Sequence, residues 1–331
     1  MNMQTTKERV LALLEPETQC SGASISRTLG VSRAAVWQAV EALRAEGYEI
    51  EARTRLGYRL LARPDLLTPG EIRRFRAPET ADLPVAYHAR VDSTNRAARQ
   101  WALAAAPHGA AVVADEQTAG RGRFGRSFLS PPGMGLYLSV ILRPDWPPEW
   151  LPLLTIFVAV AACDAIAAVA GCRPQIKWVN DLLMGGRKLA GILTELSLEG
   201  ESGRVDSAVV GIGINCHAAA FPADLAAKAT SLEAETERRI RRAQLAAALL
   251  DRFFDMAGHG QPARYADDLA RYRADCVTLG RRVLVSSPAG TRTGQALAVT
   301  DSGALTVRFD GGRTEDLSSG EVSLHGDPPP G

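Results

Sequence analysis

A loop that combines three glycines with three arginines is the part of this sequence best suited to chemistry. It spans residues 115–126 and lies between the apolar segments 111–114 and 136–142. Glycines let backbone N–H groups approach a ligand closely, and each arginine presents a forked donor that suits carboxylates and phosphates. Arginine and glycine also occur together in flexible tails that bind nucleic acids. Because this run is short and lies inside an α/β pattern, we expect it to close over a small anionic ligand.

Four further polar segments accompany this loop in a fixed order. Residues 92–95 precede it, and residues 177–181, 186–195 and 211–215 follow it. In order and spacing the five segments resemble those of the biotin protein ligases, and the resemblance extends from about Leu66 onward. The preceding segment extends it to the bifunctional members of that family, which are also biotin-responsive repressors.

The resemblance implies two reactions and no protein nucleophile. The biotin carboxylate attacks the α-phosphate of ATP to give biotinyl-5′-adenylate and pyrophosphate, and a lysine of a biotin carboxyl carrier domain then attacks the mixed anhydride. Such an enzyme mainly aligns its reactants and neutralises negative charge. The sequence has no Gly-x4-Gly-Lys-Ser/Thr loop, and residues 211–216 lack the third glycine of a dinucleotide fingerprint. We therefore expect a nucleotide site of another design.

The predicted catalytic residues are Lys188 and Arg123. Lys188 follows the turn-like pair Gly185-Gly186 and precedes an apolar run, so a strand can project its ammonium into the site. The resemblance implies that Lys188 contacts the biotinyl carboxyl and the adenylate phosphate, and that Arg123 contacts the phosphate and retains the reactive intermediate. The alternatives are a solvated hairpin charge at Lys188 and a catalytic role for Lys177.

The resemblance also implies the ligand-binding residues. Hydroxyl and N–H groups of residues 93–95 contact the biotin ureido ring together with Gln117, although this segment could equally act as a helix N-cap. Trp178 and Leu189 are candidates for an apolar wall, with core packing as the alternative. The complete biotin and adenylate set is Ser93, Thr94, Asn95, Gln117, Gly120, Arg121, Gly122, Arg123, Lys188 and Gly211.

On the nucleotide side the prediction names Asn180, Asp181 and Asn215. A carboxylate at Asp181 could hold Mg²⁺ directly or through water, and no other metal ligand is identified. The family motif usually has proline at the position of Val179, where we expect valine to keep the backbone extended. Biotin, ATP and Mg²⁺ are therefore the expected ligands.

Residues 1–63 predict a winged helix-turn-helix that binds operator DNA. Thr6 can cap a first helix, Gly30 can end a second, and Ser32 can cap a third, after which two short strands follow. Nine Lys/Arg against seven Asp/Glu give this module a net charge of only +2, so any DNA contact is local. The predicted DNA-binding residues are Ser32, Arg33, Trp37 and Gln38 on the third helix and Arg53 and Arg55 on the wing.

Three domains and a tail are expected in this α+β chain. Residues 64–273 alternate strands and helices, which predicts a mixed α/β catalytic domain of the biotin/lipoyl-ligase type. Residues 274–325 read as short strands separated by turns, which indicates an SH3-like β-barrel. Residues 326–331 are proline-rich and are expected to be frayed.

Composition indicates a cytoplasmic protein without a membrane span. The net charge is +1, and the five cysteines form no C-x-x-C pair, so neither a disulfide framework nor a zinc site is expected. The start has no signal-peptide core. The apolar stretch 151–170 approaches the length of a membrane span, but its alanines and Asp164 favour a buried helix.

Four functional readings remain open at this stage. The first is a ligase that is also a repressor and forms a homodimer when it binds ligand. The second is a ligase whose N-terminal module does not bind DNA. The third is a biotin-sensing regulator without ligase activity, and the fourth is a lipoyl ligase.

Overall fold

The chain divides into two units, Met1–Leu66 and Leu67–Gly331, and each is described by itself. The computed structural model describes residues 5–14, 19–53, 56–143, 146, 148–198, 205–217, 221–258, 262–287 and 290–324. The predicted domain boundary between residues 273 and 274 falls inside the second unit and stays a prediction, and the tail 326–331 lies outside the described residues.

The first unit contains three helices followed by an antiparallel pair of strands. The elements are α1 (Thr6–Leu13), α2 (Gly22–Leu29), α3 (Arg33–Ala45), β1 (Glu49–Arg53) and β2 (Gly57–Ala62). Apolar residues on one face of each helix pack into a single core that includes Val10, Leu14, Ile25, Val36, Val40, Leu43 and Leu60. Three helices and a hairpin of this kind form the predicted winged helix-turn-helix.

Local capping explains where these helices begin and end. The first helix is capped by Thr5 and not by Thr6, because the Thr5 hydroxyl accepts from the backbone N–H of Glu8 at 3.3 Å and the Glu8 carboxylate accepts from the Thr5 N–H at 2.8 Å. Gly30 ends α2 at a φ of 67°, which favours glycine. The Ser32 hydroxyl accepts from the Ala35 N–H at 3.1 Å, as the sequence predicts.

The second unit is built on a mixed seven-stranded sheet. The strand order is β3-β4-β5-β9-β8-β7-β6; β3 and β4 are parallel and the other neighbours are antiparallel. In chain order the elements are α4 (Pro69–Arg73), β3 (Val85–His88), α5 (Thr94–Leu103), β4 (Ala111–Ala114), β5 (Gly135–Leu142), α6 (Leu154–Ala170), β6 (Gln175–Lys177), β7 (Asp181–Met184), β8 (Arg187–Leu198), β9 (Val205–Asn215), α7 (Ala223–Ala226), α8 (Leu232–Thr236), α9 (Arg242–Gly258) and α10 (Pro262–Asp275).

Helices cover both faces of this sheet. Ala98 and Ala102 of α5 pack on Val112, Ile141 and Val209, whereas the alternate residues of the same strands pack with α6 and α9 on the other face. Residues 150–170 are apolar and long enough to cross a membrane, yet most of this segment is buried inside this unit. This segment is therefore a core helix, as expected.

Five antiparallel strands follow in the order β13-β12-β11-β10-β14. They are β10 (Arg282–Ser287), β11 (Gly290–Val299), β12 (Leu305–Phe309), β13 (Thr314–Leu317) and β14 (Glu321–Leu324). The sequence indicates the first three of these strands but not the last two, which are four residues each and carry charged side chains. The arrangement agrees with the expected SH3-like barrel.

Candidate active site

A pocket on the α5 face of the sheet gathers most of the predicted site residues. Its lining comes from the start of α5, the arginine and glycine loop, the β6–β7 turn, strands β8 and β9, and β14 of the barrel. The predicted residues that line it are Ser93, Thr94, Asn95, Gln117, Arg121, Gly122, Arg123, Asn180, Asp181, Lys188 and Gly211.

The floor of the pocket is made of glycines on neighbouring strands. A Cβ atom on Gly211 would lie 1.9 Å from Asn95 Oδ1, and one on Gly213 would lie 2.5 Å from the Phe128 ring. These positions must therefore be glycine because side chains of the pocket wall occupy the space above them. Gly211, which the sequence analysis places in the biotin and adenylate set, thus makes room for the side chain of Asn95.

A network of polar side chains forms one wall. The backbone N–H and the hydroxyl of Thr94 donate to Gln117 Oε1 at 2.9 and 3.1 Å, and Gln117 Nε2 donates to Ser130 Oγ at 3.0 Å. Ser139, which is fully buried, lies 2.8 Å from Thr94 Oγ1 and 2.6 Å from Asn95 Oδ1. Asn95 also lines the pocket, but both ends of its amide are hydrogen-bonded to neighbours in the wall.

Ser93 lines the pocket at the start of α5. Ser93 occupies the N-cap position of α5, but within the part of the chain that the structure describes its hydroxyl makes no capping hydrogen bond. Its own N–H donates to Asp92 Oδ1 at 2.6 Å. The simple N-cap interpretation therefore fails here, and the hydroxyl stands on the pocket lining.

The arginine and glycine loop is closed on itself by backbone hydrogen bonds. The Gly122 N–H donates to the Arg126 carbonyl at 2.7 Å, and the Phe128 N–H donates to the Gly120 carbonyl at 2.9 Å. A Cβ on Gly120 would lie 2.5 Å from the Phe128 carbonyl, so Gly120 supports the base of the loop and is outside the pocket lining. Arg126 forms an ion pair with Glu321 of β14, which ties the loop to the barrel.

Arg123 reaches across the pocket toward the β6–β7 turn. Its guanidinium donates to Asn180 Oδ1 at 3.3 Å. Burial lowers the pKa of Arg123, and the nearby Asp181 and Tyr272 oppose that shift. A partly desolvated cation of this kind interacts more strongly with an arriving phosphate than a fully solvated one does.

Lys188 points into the pocket because of a bulge in β8. Leu182 pairs with Ala190, but Leu183 pairs with Lys188, so Leu189 is an extra residue in β8. Strict alternation from Gly191 would turn Lys188 to the α6 face, and the bulge restores it to the pocket face. The Lys188 ammonium lies 2.7 Å from Asp181 Oδ1.

Several predicted residues do not contribute to the pocket surface as expected. Asn215 lies outside the lining, and its amide donates to the Thr230 carbonyl at 2.9 Å, because it stands where β9 ends. Leu189 is fully buried at the bulge and outside the lining. Trp178 does line the pocket but is only 4% exposed, and its indole N–H donates to the Gly303 carbonyl at 3.1 Å, so it also anchors the turn to the barrel.

The turn that follows Trp178 differs from the expected extended backbone. Residues 178–180 form a tight turn, and the Trp178–Val179 peptide bond is cis. The Tyr272 hydroxyl donates to the Val179 carbonyl at 3.1 Å. The turn therefore takes its position from α10 and the barrel as well as from the sheet.

The sequence interpretation missed five contributors to the site. Ser130, Ser139, Glu195 and Phe128 build or support its wall, and residues 320–323 of the barrel complete its rim. Among these residues only Glu195 had a signal in the sequence, because it ends the polar segment 186–195. The other residues are of ordinary types and lie in runs that carry no motif.

The predicted DNA-contacting residues lie on the surface of the first unit. Ser32, Arg33, Trp37 and Gln38 are exposed at the N-terminal half of α3, with Trp37 56% exposed. Arg53 is exposed on β1, where its side chain pairs with Glu51 at 3.0 Å. Arg55 lies outside the described residues.

Three parts of the chain match models of known protein families. Residues 87–215 match a family model described as the biotin/lipoate A/B protein ligase family, residues 6–59 match an HTH domain, and residues 278–325 match the biotin protein ligase C-terminal domain. The chain is 40% identical to the bifunctional ligase/repressor BirA of Bacillus subtilis, over 92% of this chain and 93% of that protein.

Two further proteins are similar to a smaller part of this chain. The bifunctional ligase/repressor BirA of Escherichia coli is 34% identical over 65% of both chains. Among solved structures, the biotin protein ligase from Aquifex aeolicus in complex with biotin and ATP aligns with a TM-score of 0.62 and 28% identity, over 73% of this chain and 98% of that one.

Proposed function

We propose that this chain, which belongs to the family of bifunctional biotin ligase/repressors, activates biotin with ATP and transfers it to a lysine of a biotin carboxyl carrier domain. The observation that carries the proposal is the convergence of Lys188, Arg123 and Asp181 on one glycine-floored pocket. A cytoplasmic location is part of the proposal, since the substrates ATP and a carrier protein are found there.

The first reaction joins two negatively charged groups, so its barrier falls when their charges are neutralised and their atoms aligned. The Lys188 ammonium is paired with Asp181 at 2.7 Å. We assign this ammonium to the biotin carboxylate and the α-phosphate, and it turns away from Asp181 to contact them. The carboxylate oxygen forms a bond to phosphorus as the bond to pyrophosphate breaks. The carrier lysine amine then attacks the anhydride carbonyl and releases AMP.

The loop retains the intermediate between these two steps. Arg121 and Arg123 line the pocket, and we assign Arg123 to the phosphate of the adenylate. Ser93, Thr94 and Gln117 are assigned to the ureido ring, while Gly122 lets the loop backbone approach the ligand.

Mg²⁺ would be held by Asp181, the carboxylate of the β6–β7 turn that faces the pocket. One carboxylate is compatible with Mg²⁺ bound mainly through nucleotide phosphates, and within the described part of the chain no group of three or more acidic, histidine or cysteine residues forms a complete cage. When bound, the ion would neutralise charge on the phosphates. Asn180 holds the turn by donating to the Ile192 carbonyl at 2.8 Å.

The N-terminal unit gives the same chain a role in repression. The exposed residues Arg33, Trp37 and Gln38 of α3 would enter the major groove of operator DNA, and Arg53 would contact the backbone. A homodimer that forms with bound biotinyl-adenylate would read a symmetric operator with two half-sites about one helical turn or more apart.

Ligase activity is tested by mass spectrometry of an apo carrier domain after incubation with the protein, biotin, ATP and Mg²⁺. We expect a biotin-sized mass increase with the wild type and with Lys7→Ala, a surface lysine of the first unit, and a large loss with Lys188→Ala. Lipoate replaces biotin in a parallel sample. Biotin binding without any transfer would support a sensor instead, and transfer of lipoate would support a lipoyl ligase.

Repression is tested by selecting random duplex DNA with the full chain, in the presence and absence of biotin and ATP. We expect enrichment of an inverted repeat only when both ligands are present. Trp37→Ala should lose this enrichment, whereas the control Lys7→Ala should keep it. Sedimentation of the same samples should show a ligand-dependent dimer. A ligase that enriches no sequence would contradict the repressor role alone.

A further inference from the structure

A row of hydrogen bonds leads from the pocket wall to a carboxylate to which the reaction above gives no role. Thr94 Oγ1 lies 2.8 Å from Ser139 Oγ, which lies 2.6 Å from Asn95 Oδ1. Asn95 Nδ2 in turn donates to Glu195 Oε2 at 2.8 Å. Ser139 is fully buried and Asn95 is 6% exposed, so this row is shielded from bulk water.

The neighbours of Asn95 fix the orientation of its amide. Nδ2 faces the Leu193 carbonyl at 3.3 Å and the Glu195 carboxylate at 2.8 Å. Both groups can only accept hydrogen bonds. The NH₂ group must therefore point toward them, and the oxygen Oδ1 must point toward Ser139.

This orientation leaves the row short of protons. Four oxygens, those of Asn95, Ser139, Thr94 and Gln117, make three consecutive contacts. Only the two hydroxyls of Ser139 and Thr94 supply side-chain protons to these contacts. Thr94 lines the pocket. A hydroxyl oxygen has two lone pairs, and with the Ser139 proton on Asn95 Oδ1 both lone pairs of Thr94 Oγ1 are available to a donor that arrives with the ligand. A reversed Asn95 amide would instead add an N–H to the row and direct the Ser139 proton onto one of these lone pairs, which weakens Thr94 as an acceptor.

We propose that Glu195 is a positioning residue for ligand recognition: it locks the Asn95 amide and keeps Thr94 as an acceptor for an N–H group of the ligand. The inference rests on the proposed function, in which that group belongs to the ureido ring of biotin. It deepens that function because Glu195, which does not touch the ligand, would determine whether the pocket accepts a ligand with an N–H group at this position.

Glu195→Gln tests the proposal with almost no change in shape. A glutamine can present its own NH₂ group to Asn95, so it no longer enforces the amide orientation. We expect the KM for biotin in biotin-dependent ATP–pyrophosphate exchange to rise about tenfold, the effect of roughly one lost hydrogen bond. The kcat and the KM for ATP should stay at wild-type values. Glu315→Gln, which alters an exposed ion pair with Arg292 of the barrel, is the matched control and should change none of them.

Coupling with Ser139 distinguishes this role from a merely structural one. Ser139→Ala removes the hydroxyl whose proton a reversed Asn95 amide would direct onto Thr94, so by itself it should leave the KM for biotin within about twofold of the wild-type value. Adding Glu195→Gln to Ser139→Ala should then change the KM by less than about twofold, because residues that act through one network are not additive. If Glu195→Gln does not fold, a rise of about tenfold in the KM for biotin in Ser139→Ala would overturn the proposal by itself, because recognition would then depend on the Ser139 hydroxyl and not on the orientation of the Asn95 amide.

The remaining outcomes are separable. A wild-type chain without biotin-dependent exchange would overturn the proposed function and the premise of this inference. An active wild type with an unchanged KM in Glu195→Gln, or with additive effects of the two substitutions, would overturn the role of Glu195 and leave the ligase intact.

Discussion

Gly211→Ala is the sharpest single test of the pocket geometry. The new Cβ would lie 1.9 Å from Asn95 Oδ1 and 2.8 Å from Asn95 Cγ, which is far inside van der Waals contact, so the Asn95 amide must leave its place. It then loses its bonds to the Leu193 carbonyl, to the Glu195 carboxylate and from Ser139. Two neutral bonds at about 1 kcal/mol each and one charged bond at about 2 kcal/mol give a loss of about 4 kcal/mol in the free energy of unfolding.

This loss can be measured in two independent ways. In a unit of this size 1 kcal/mol corresponds to about 2–4 °C in melting temperature, so we expect a decrease of about 8–16 °C by calorimetry. The KM for biotin should rise more than about tenfold, since Thr94 loses its ordered neighbour. Gly311→Ala is the control, because no atom lies within 4 Å of the Cβ it would add. Unchanged melting and an unchanged KM in Gly211→Ala would refute this account of the wall.

Three further predictions concern other parts of the second unit. Asp251→Ala should lower the free energy of unfolding by about 3–5 kcal/mol in urea denaturation without changing the KM for biotin, because it leaves the buried charge of Arg76 unpaired. Arg126→Glu should release biotinyl-adenylate up to about fivefold faster, since it breaks a half-exposed ion pair, and Glu321→Arg in the same chain should restore slow release. Burial, and then the charge of a neighbouring arginine, lower the pKa of His108 below its ordinary 6.5. Between pH 6.5 and the lowered pKa the unfolded chain therefore binds more protons than the folded chain, so the free energy of unfolding decreases as the pH falls through this window. His108→Asn should make this decrease smaller when urea denaturation is measured as a function of pH.

Local chemistry made much of the site predictable. A Gly-Gly turn before Lys188 is a local signal, and the structure confirms a hairpin there with φ values of 56° and 77° at Gly185 and Gly186. Ser32 likewise caps α3 as its residue type suggests. The five polar segments have a recognisable order, which is why most of the residues predicted for the site line one pocket.

The orientation of Lys188 could not be derived from the same information. Lys188 and Gly191 are three residues apart, so regular alternation places them on opposite faces of β8. The extra residue Leu189 brings both to one face, but a leucine in an apolar run carries no signal for a bulge. Register is a property of the pairing with β7, and it appears only when both strands are placed.

The barrel shows why domain limits read from composition are a poor guide to the limits of a site. Trp178 belongs to a motif of the catalytic segment, yet its backbone N–H donates to Thr278 Oγ1 at 2.9 Å and its indole N–H donates to the Gly303 carbonyl. At the opposite side of the pocket, Glu321 holds Arg126 of the loop. Two segments that contact the substrates in the proposed mechanism are thus held by residues that the sequence assigns to another domain. The barrel is therefore part of the active-site framework, because it supplies one anchor of the turn after Trp178 and one anchor of the arginine loop.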